Sequence, residues 1–183
     1  MPDPNRLTPE ARQANATAGI FNIRDFGARG DAIADDTAAI QSAIDAATGD
    51  ADPAKGGRLA RGTVYLPPGI YLVSKPLRVY SVSYLTFRGE GKSSRICPIG
   101  SMDSVLDLNG TAFCNFQDLL IEGNSQTGKV ENVVYSYFDA KTASRTTSGN
   151  VFRGIQIQNV PFTTAFRIGL WGSNAQCDAG SYE

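Results

Sequence analysis

Short runs in which apolar and polar residues alternate recur through the second half of the chain and predict β-strands. Three of them end in Gly or Asn and start at positions 85, 119 and 155, which are 34 and 36 residues apart: Leu85–Gly89, Leu119–Gly123 and Ile155–Asn159. A second series lies between them: Val105–Asn109, Val133–Phe138 and Phe166–Leu170. Two interleaved series predict a solenoid whose coils return about every 35 residues and bury their apolar positions by stacking.

The stretch Phe21–Ala47 has a different pattern. A strand-like start runs into a turn with two glycines, Gly27 and Gly30, which permit positive φ. Ala39, Ile40, Ala43, Ile44 and Ala47 then follow at helical spacing on one face. Asp35 and Asp36 precede them and can accept hydrogen bonds from the first turn of a helix. A narrow stripe of small residues predicts a helix that lies close against a flat surface.

Downstream, Gly62–Val73 predicts a strand, a turn and a second strand, and Tyr84–Gly91 predicts another strand. Pro68 and Gly69 fit the two centre positions of a type II turn, which predicts a positive φ at Gly69.

Three stretches in this order carry a resemblance: FNIRDFGARGD…DDTAAIQSAIDAA, then GTVYLPPGIYLVSKPLRV, then LTFRGEGKSSRI. Over about Phe21–Val160 the chain resembles the N-terminal part of the pectate-lyase-like superfamily, which includes polygalacturonase-like enzymes and many phage tailspikes. The resemblance implies an all-β solenoid, a right-handed parallel β-helix with an N-terminal capping α-helix. It divides the chain into an extended N-terminal arm, 1–20, and the cap and first coils, 21–183. No second cap follows Trp171, so we expect the C-terminal end to be open or covered by another chain.

Charge is balanced overall, with a formal net charge of −1, which argues against a nucleic-acid binder. Locally, residues 75–95 hold five basic residues against Glu90 alone, a net of +4. Lys75, Arg78 and Arg88 are therefore candidates for binding an anionic polysaccharide. The alternative is that these are solvated charges on turns.

Residue types that would indicate other chemistry are few. Cys97, Cys114 and Cys177 are odd in number and lack metal-type spacing, so we predict neither a disulfide framework nor a metal or cofactor site. The acids Asp25, Asp31, Asp35 and Asp36 do not have the spacing of a Ca²⁺ loop, and we assign them to caps and turns. We expect no membrane insertion, since no apolar stretch could span one, and residues 1–20 lack the apolar core of a signal peptide.

Catalytic residues remain unassigned. The polygalacturonase-like enzymes carry an Asn-Thr-Asp stretch, an Asp-Asp pair, a Gly-His-Gly and an Arg-Ile-Lys, but this chain has no His. Its Asp-Asp pair opens the predicted helix, and Arg167-Ile168 is followed by Gly169. Acids of the coil region are scattered along the sequence: Asp103, Asp107, Asp118, Glu122 and Asp139. We expect Asp107 and Glu122 to face solvent.

Aromatic residues are the better indication of function, because their flat faces can stack on sugar rings. Tyr135 and Tyr137 share a strand face, and Trp171 closes the last predicted strand. The alternative is that they pack between coils.

These observations favour the N-terminal portion of a phage tailspike or tail-fibre protein that binds a bacterial surface polysaccharide. Whether the full-length protein also cleaves the polysaccharide stays open at this point. The resemblance implies a homotrimer or assembly with other virion proteins in the virion tail. The alternatives are a secreted, extracellular pectate-lyase or polygalacturonase-like enzyme without its catalytic coils, and a purely structural virion component.

Overall fold

The computed structural model describes residues 18–49, 58–139, 141 and 147–171, with the backbone alone at 170 and 171. In chain order its strands are β1 Ile20–Asn22, β2 Asp31–Asp35, β3 Arg58–Leu59, β4 Thr63–Tyr65, β5 Gly69–Val73, β6 Leu77–Tyr80, β7 Val82–Ser83, β8 Thr86–Pro98, β9 Gly100–Asn109, β10 Asn115–Glu122, β11 Thr127–Asp139, β12 Val151–Gln158 and β13 Phe162–Trp171. A 3₁₀ turn, Ile23–Phe26, and one helix, α1 Thr37–Thr48, lie near the N-terminus of the described chain.

Every strand pair found in the described residues is parallel, and these strands form three sheets. The seven-stranded sheet has the order β1-β4-β8-β10-β12, with β5 beside β8 and β2 beside β5. The four-stranded sheet has the order β6-β9-β11-β13, and β3 pairs with β7. Neighbours in each sheet come from successive coils, as a solenoid requires. The predicted fold, a right-handed parallel β-helix, is confirmed.

The coil period varies more than the sequence pattern indicated. Leu119 pairs with Ile155, 36 positions later, as predicted. In the preceding coil, however, Phe116 pairs with Phe87, 29 positions earlier, so the predicted match of Leu85–Gly89 with Leu119–Gly123 is wrong. The second series is confirmed as adjacent strands β9, β11 and β13.

The register of the first series is shifted by a bulge inside β8. Leu119 pairs with Gly91 and Leu120 with Arg95, so three residues of β8 are looped out between these two rungs. Gly91, Asp118 and Gly154 all have positive φ, at 64°, 58° and 64°. Successive coils therefore bend at one place in the sheet.

Inside the coils the core is built from stacked apolar rungs. Phe116 lies between two other phenylalanines, with ring centroids 6.1 Å from Phe87 and 5.2 Å from Phe152. All three side chains are buried. Such stacking of like residues along the axis supplies each coil with a core only when its neighbours are present.

Helix α1 begins one residue after Asp36 and buries Ile40, Ala43, Ile44 and Ala47 in the same core as the strands. The two aspartates before it have separate roles. Asp35 Oδ1 accepts a hydrogen bond from the Thr37 amide at 3.0 Å. Asp36 does not cap the helix with its side chain but accepts from the amides of Arg29 and Gly30, at 2.7 and 3.0 Å, and so holds the glycine turn. That α1 seals the end of the β-helix stays a prediction.

The predicted type II turn with a positive φ at Gly69 is wrong. Strands β4 and β5 both run parallel to β8 rather than pairing with each other, and Gly69 is the first residue of β5 without a positive φ. Its lack of a side chain serves another purpose. A Cβ there would lie 3.0 Å from the buried Tyr71 ring and 3.1 Å from the Gly30 carbonyl oxygen.

Candidate functional site

One register position of the four-stranded sheet holds four side chains with binding chemistry. Arg78 of β6 pairs with Asp107 of β9, Asp107 with Tyr135 of β11, and Tyr135 with Arg167 of β13. The neighbouring positions of β6 and β9, Leu77, Val79, Leu106 and Leu108, belong to the core. Because strand side chains alternate between faces, Arg78 and Asp107 are on the outer face of the sheet. We call this set the arginine–tyrosine row.

Asp107 is not the solvent-facing acid that its sequence position predicted, because only 8% of it is exposed. The Tyr80 hydroxyl donates a hydrogen bond to Asp107 Oδ2 at 2.5 Å, and Arg78 Nε lies 3.8 Å from the same oxygen. Burial raises the pKa of Asp107, although Tyr80, Tyr137 and Arg78 oppose the shift. Burial, followed by the hydrogen bond to Asp107, also raises the pKa of Tyr80.

Tyr135 and Tyr137 share a face, as predicted, and stack on each other with ring centroids 4.2 Å apart and planes 16° apart. The Arg167 guanidinium carbon lies 5.0 Å from the Tyr135 ring centroid, a cation–π contact. Little of the Tyr135 ring face therefore remains free for a sugar. Its contribution is to hold Arg167 in place and to present a hydroxyl group.

A shallow depression adjoins this stack. Its lining includes two acids on neighbouring strands, and the full set is Asp103, Glu131, Asn132, Tyr135, Thr163, Thr164 and Arg167. Lys129 Nζ contacts Glu131 Oε1 at 2.5 Å. Hydrogen bonds from Lys129 and Thr163 lower the pKa of Glu131, so this carboxylate stays ionised. The sequence pattern had shown the coil acids only as scattered, whereas the fold brings Asp103 and Glu131 to one surface.

A second depression lies at the other end of the row, between α1 and β6, and Lys75 and Arg78 both line it. The helix fixes the backbone there. The Arg78 amide donates to Gln41 Oε1, and Gln41 Nε2 donates to the Arg78 carbonyl oxygen, both at 2.9 Å. Lys75 and Arg78, two of the predicted binding residues, are thus neighbours at the edge of this sheet.

The other predicted binding residues are not all brought together. Arg88 lies on β8 in the seven-stranded sheet, where it forms an ion pair with Glu90 at 3.5 Å. Trp171 is paired with Asp139 at the end of β13, on the same sheet as Tyr137, but its side chain lies outside the described residues.

Sequence reasoning missed Arg167, Glu131 and Asp103 as members of one surface. A usable signal existed, because Asp107 and Tyr135 occupy the third position of the predicted strands Val105–Asn109 and Val133–Phe138. Aligning these strands places them side by side. Arg167 is one position out of step in the third strand, so only the observed register reveals it.

The described part of the chain indicates neither a metal site nor a membrane-spanning helix. Within residues 18–49, 58–139, 141 and 147–171, no three His, Cys, Asp or Glu residues are grouped so that they could hold a metal ion. None of the helices found there has the length and apolar character needed to cross a membrane.

The raised pKa of Asp107 predicts a pH-dependent stability difference. The protonated form is favoured in the fold, so this stabilisation is complete below the ordinary value of 3.8 and is lost as the pH rises through the folded value. Asp107→Asn, which cannot ionise, should gain stability relative to wild type as the pH rises from about 3.5 to about 7. Urea unfolding across this range measures the difference.

Asp31→Asn provides a control of opposite sign. The amides of Ala34 and Ile33 donate to Asp31 and lower its pKa, so the charged form is favoured and its stabilisation is lost as the pH falls. This variant should therefore lose stability relative to wild type as the pH rises. A flat difference for Asp107→Asn, or one that follows the same direction as Asp31→Asn, would show that folding does not raise the pKa of Asp107.

Comparison with known proteins places this geometry in context. Residues 20–180 match the family model described as rhamnogalacturonase A/epimerase, pectate lyase-like. The chain is 39% identical over 132 residues to mannuronan C5-epimerase AlgE5 of Azotobacter vinelandii, which covers 64% of this chain and 12% of that protein. It is 36% identical over 140 residues to alginate lyase 7 of the same organism, which covers 68% of this chain and 15% of that protein.

Among solved structures, the A-module of mannuronan C-5 epimerase AlgE6 from Azotobacter vinelandii superposes with a TM-score of 0.58 at 29% identity. The superposition covers 82% of this chain and 40% of the A-module chain. The chain thus spans less than half of that module and a smaller share of the two full-length relatives.

Proposed function

Since the chain belongs to the rhamnogalacturonase A/epimerase, pectate lyase-like family, we propose that it binds an anionic polysaccharide of the polyuronate type on the outer face of β6, β9, β11 and β13. Mannuronan and alginate, the polymers in the names of the two relatives, are the first candidates. The observation that carries the proposal is the arginine–tyrosine row. It places one guanidinium group on β6 and one on β13, the first and last of four adjacent strands.

The chemistry of the row suits a chain of sugar acids. A guanidinium group recognises a carboxylate through two parallel hydrogen bonds. Arg78 and Arg167 are three strand steps apart, about 14 Å at the usual strand spacing, so the ligand extends across the strands over several sugar units. Between them Asp107 is only 8% exposed and burial raises its pKa, which weakens the repulsion of an anionic ligand.

Removal of the two end charges tests the proposal. The double variant Arg78→Gln/Arg167→Gln should lower affinity for mannuronan about tenfold or more. It should also reduce the salt dependence of binding, because fewer charge contacts are screened. Isothermal titration calorimetry at two salt concentrations measures both effects.

Lys92→Gln/Lys141→Gln is the matched control, because both lysines are exposed and lie outside the row. It removes the same charge, so a general electrostatic attraction would weaken equally in both double variants. Equal losses, or no loss in Arg78→Gln/Arg167→Gln, would contradict a binding site on this face.

We also expect binding without turnover from residues 1–183. β-Elimination and epimerisation at a uronate need a base at the C5 proton. Burial raises the pKa of both Tyr80 and Tyr137, which disfavours the tyrosinate form. Glycoside hydrolysis needs a protonated acid opposite a second carboxylate, and the lowered pKa of Glu131 makes it unsuited to be the protonated acid.

Incubation with mannuronan, alginate, polygalacturonate and bacterial capsule, with and without Ca²⁺, should therefore yield no unsaturated products, reducing ends or epimerised residues. Product release that is abolished by Glu131→Gln or Asp118→Asn would contradict this expectation. It would place the secreted enzyme ahead as the function of the full-length protein.

Two biological settings fit a polysaccharide-binding face. We propose first that the chain is part of a phage tailspike or tail-fibre protein, which forms a homotrimer or assembles with other virion proteins in the virion tail. The lack of a polygalacturonase-type motif supports this setting. The second candidate is an extracellular polysaccharide-modifying enzyme, favoured by the epimerase and lyase names of the relatives. Antibodies against this chain should label purified virions in the first case and culture supernatant in the second. A purely structural virion component would label virions but bind no polysaccharide.

A further inference from the structure

The seven-stranded sheet carries a second row of polar side chains on its own outer face. One register position runs through five adjacent strands, β1, β4, β8, β10 and β12, and holds Asn22, Tyr65, Arg88, Gln117 and Arg153. The residues immediately before them in each strand are buried in the core: Phe21, Val64, Phe87, Phe116 and Phe152. Since side chains alternate along a strand, the polar row faces away from the core.

The charges of this row are weakly matched. Among the described residues, Arg88 forms an ion pair with Glu90 alone, at 3.5 Å, and 49% and 39% of the two side chains are exposed. Such an exposed ion pair contributes little and is easily exchanged for another anion. Arg153 donates to Gln117 Oε1 at 2.8 Å, and no ion pair of Arg153 is found among the described residues. Two guanidinium groups thus flank one amide in a straight line.

Spacing within the row also fits an extended anion. Arg88 and Arg153 are two strand steps apart, about 10 Å at the usual spacing, with the Gln117 amide between them. Tyr65 continues the line beyond Arg88 and offers an aromatic ring, while its hydroxyl group is hydrogen-bonded with Glu90. Guanidinium, amide and tyrosine groups at regular steps are suited to the carboxylates and hydroxyls of a polysaccharide.

We propose that the row Tyr65–Arg88–Gln117–Arg153 is a second binding surface for an anionic polysaccharide, separate from the arginine–tyrosine row. The inference rests on the proposed function for its ligand class, but it does not need the first surface to be intact. Arg88 and Arg78 lie on different sheets, so Arg88 is not part of the first surface. The second surface gives Arg88 a binding role of its own.

Titration of the full chain with short oligomannuronates tests this surface directly. We expect a ratio of roughly two oligosaccharides per chain by calorimetry. In NMR spectra of the same titration, the Gln117 side-chain amide signals should shift. Arg88→Gln/Arg153→Gln should reduce the ratio to roughly one and leave the affinity of the remaining site unchanged.

Gln117→Glu is the second variant, because it is isosteric and places an anion between the two guanidinium groups. It should also remove the second site, whereas Lys92→Gln, an exposed lysine of the same sheet outside the row, should retain it. If the wild type binds one oligosaccharide per chain and Arg88→Gln/Arg153→Gln binds the same number, the second surface is wrong and the first is unaffected. If Arg88→Gln/Arg153→Gln and Gln117→Glu abolish binding while Arg78→Gln/Arg167→Gln does not weaken it, the first surface is wrong and the second is supported.

Discussion

Replacement of Ile44 by Asp should lower the free energy of unfolding by several kcal/mol, on the order of the cost of an unpaired charge in an apolar core. Ile44 is 1% exposed and lies on the face of α1 that packs into the core with Ile40 and Ala43. Burial would force the new carboxylate either to become protonated or to expose this end of the core. Urea unfolding followed by circular dichroism measures the loss.

Two further variants separate the role of the core from a general effect on the helix. Ile44→Ala should cost about 2–5 kcal/mol, because it removes buried methyl groups and leaves a cavity. Ser42→Asp changes an exposed position of the same helix and should stay within about 0.5 kcal/mol of wild type. If Ile44→Asp melted with the wild-type protein, α1 would not seal the β-helix.

Replacement of Gly123 by Ala should destabilise the protein by about 2 kcal/mol or more, because the added methyl group meets backbone rather than a side chain. A Cβ at Gly123 would lie 2.0 Å from the Asn159 carbonyl oxygen and 3.0 Å from the Val160 Cα. The Gly123 amide also donates to the Gln158 carbonyl oxygen at 2.9 Å, so the two coils are fixed where the clash occurs. Relief would require the ends of β10 and β12 to separate.

Gly169→Ala is the matched control for this change. Gly169 lies within β13 and, like Gly123, has no positive φ; a Cβ there would be 3.9 Å from the Tyr135 ring, an ordinary contact. It should change stability by no more than about 0.5 kcal/mol. Equal unfolding midpoints for the two alanine variants would show that successive coils do not approach each other as closely as described.

The fold was predictable because a solenoid repeats its signal. Each coil presents the same alternation of apolar and polar positions, and the second series, Val105–Asn109, Val133–Phe138 and Phe166–Leu170, corresponds to strands that do lie side by side. The first series failed at β8, where three residues loop out between Gly91 and Arg95. A bulge changes the register without changing the alternation on either side, so the pattern alone cannot locate it.

Local turn chemistry misled the prediction at Gly69 for a related reason. Pro-Gly is typical of a tight turn, but neighbouring strands of a parallel β-helix come from different coils, so β4 and β5 have no need to reverse. The constraint on Gly69 comes from Tyr71 and Gly30, which a side chain at this position would meet at close range.

The candidate site was predictable only in part, because it is assembled from four adjacent strands that come from successive coils. Tyr135 and Tyr137 could be paired from the alternation within one strand, and the stack confirms it. The partners across the strands depend on register, which sets Arg167 over Tyr135 and brings Tyr80 to Asp107. Arg88 and Arg78 are close in sequence, yet they lie on different sheets, which the sequence pattern does not reveal.

The most direct test of polysaccharide binding is a structure of the protein with a short oligomannuronate bound. Our account predicts electron density for the sugar chain across β6, β9, β11 and β13, with carboxylates at Arg78 and Arg167 and hydroxyl groups at Tyr135 or Tyr137. A sugar chain bound at neither arginine and away from this sheet, with the outer face of the four strands empty at saturating ligand, would contradict it.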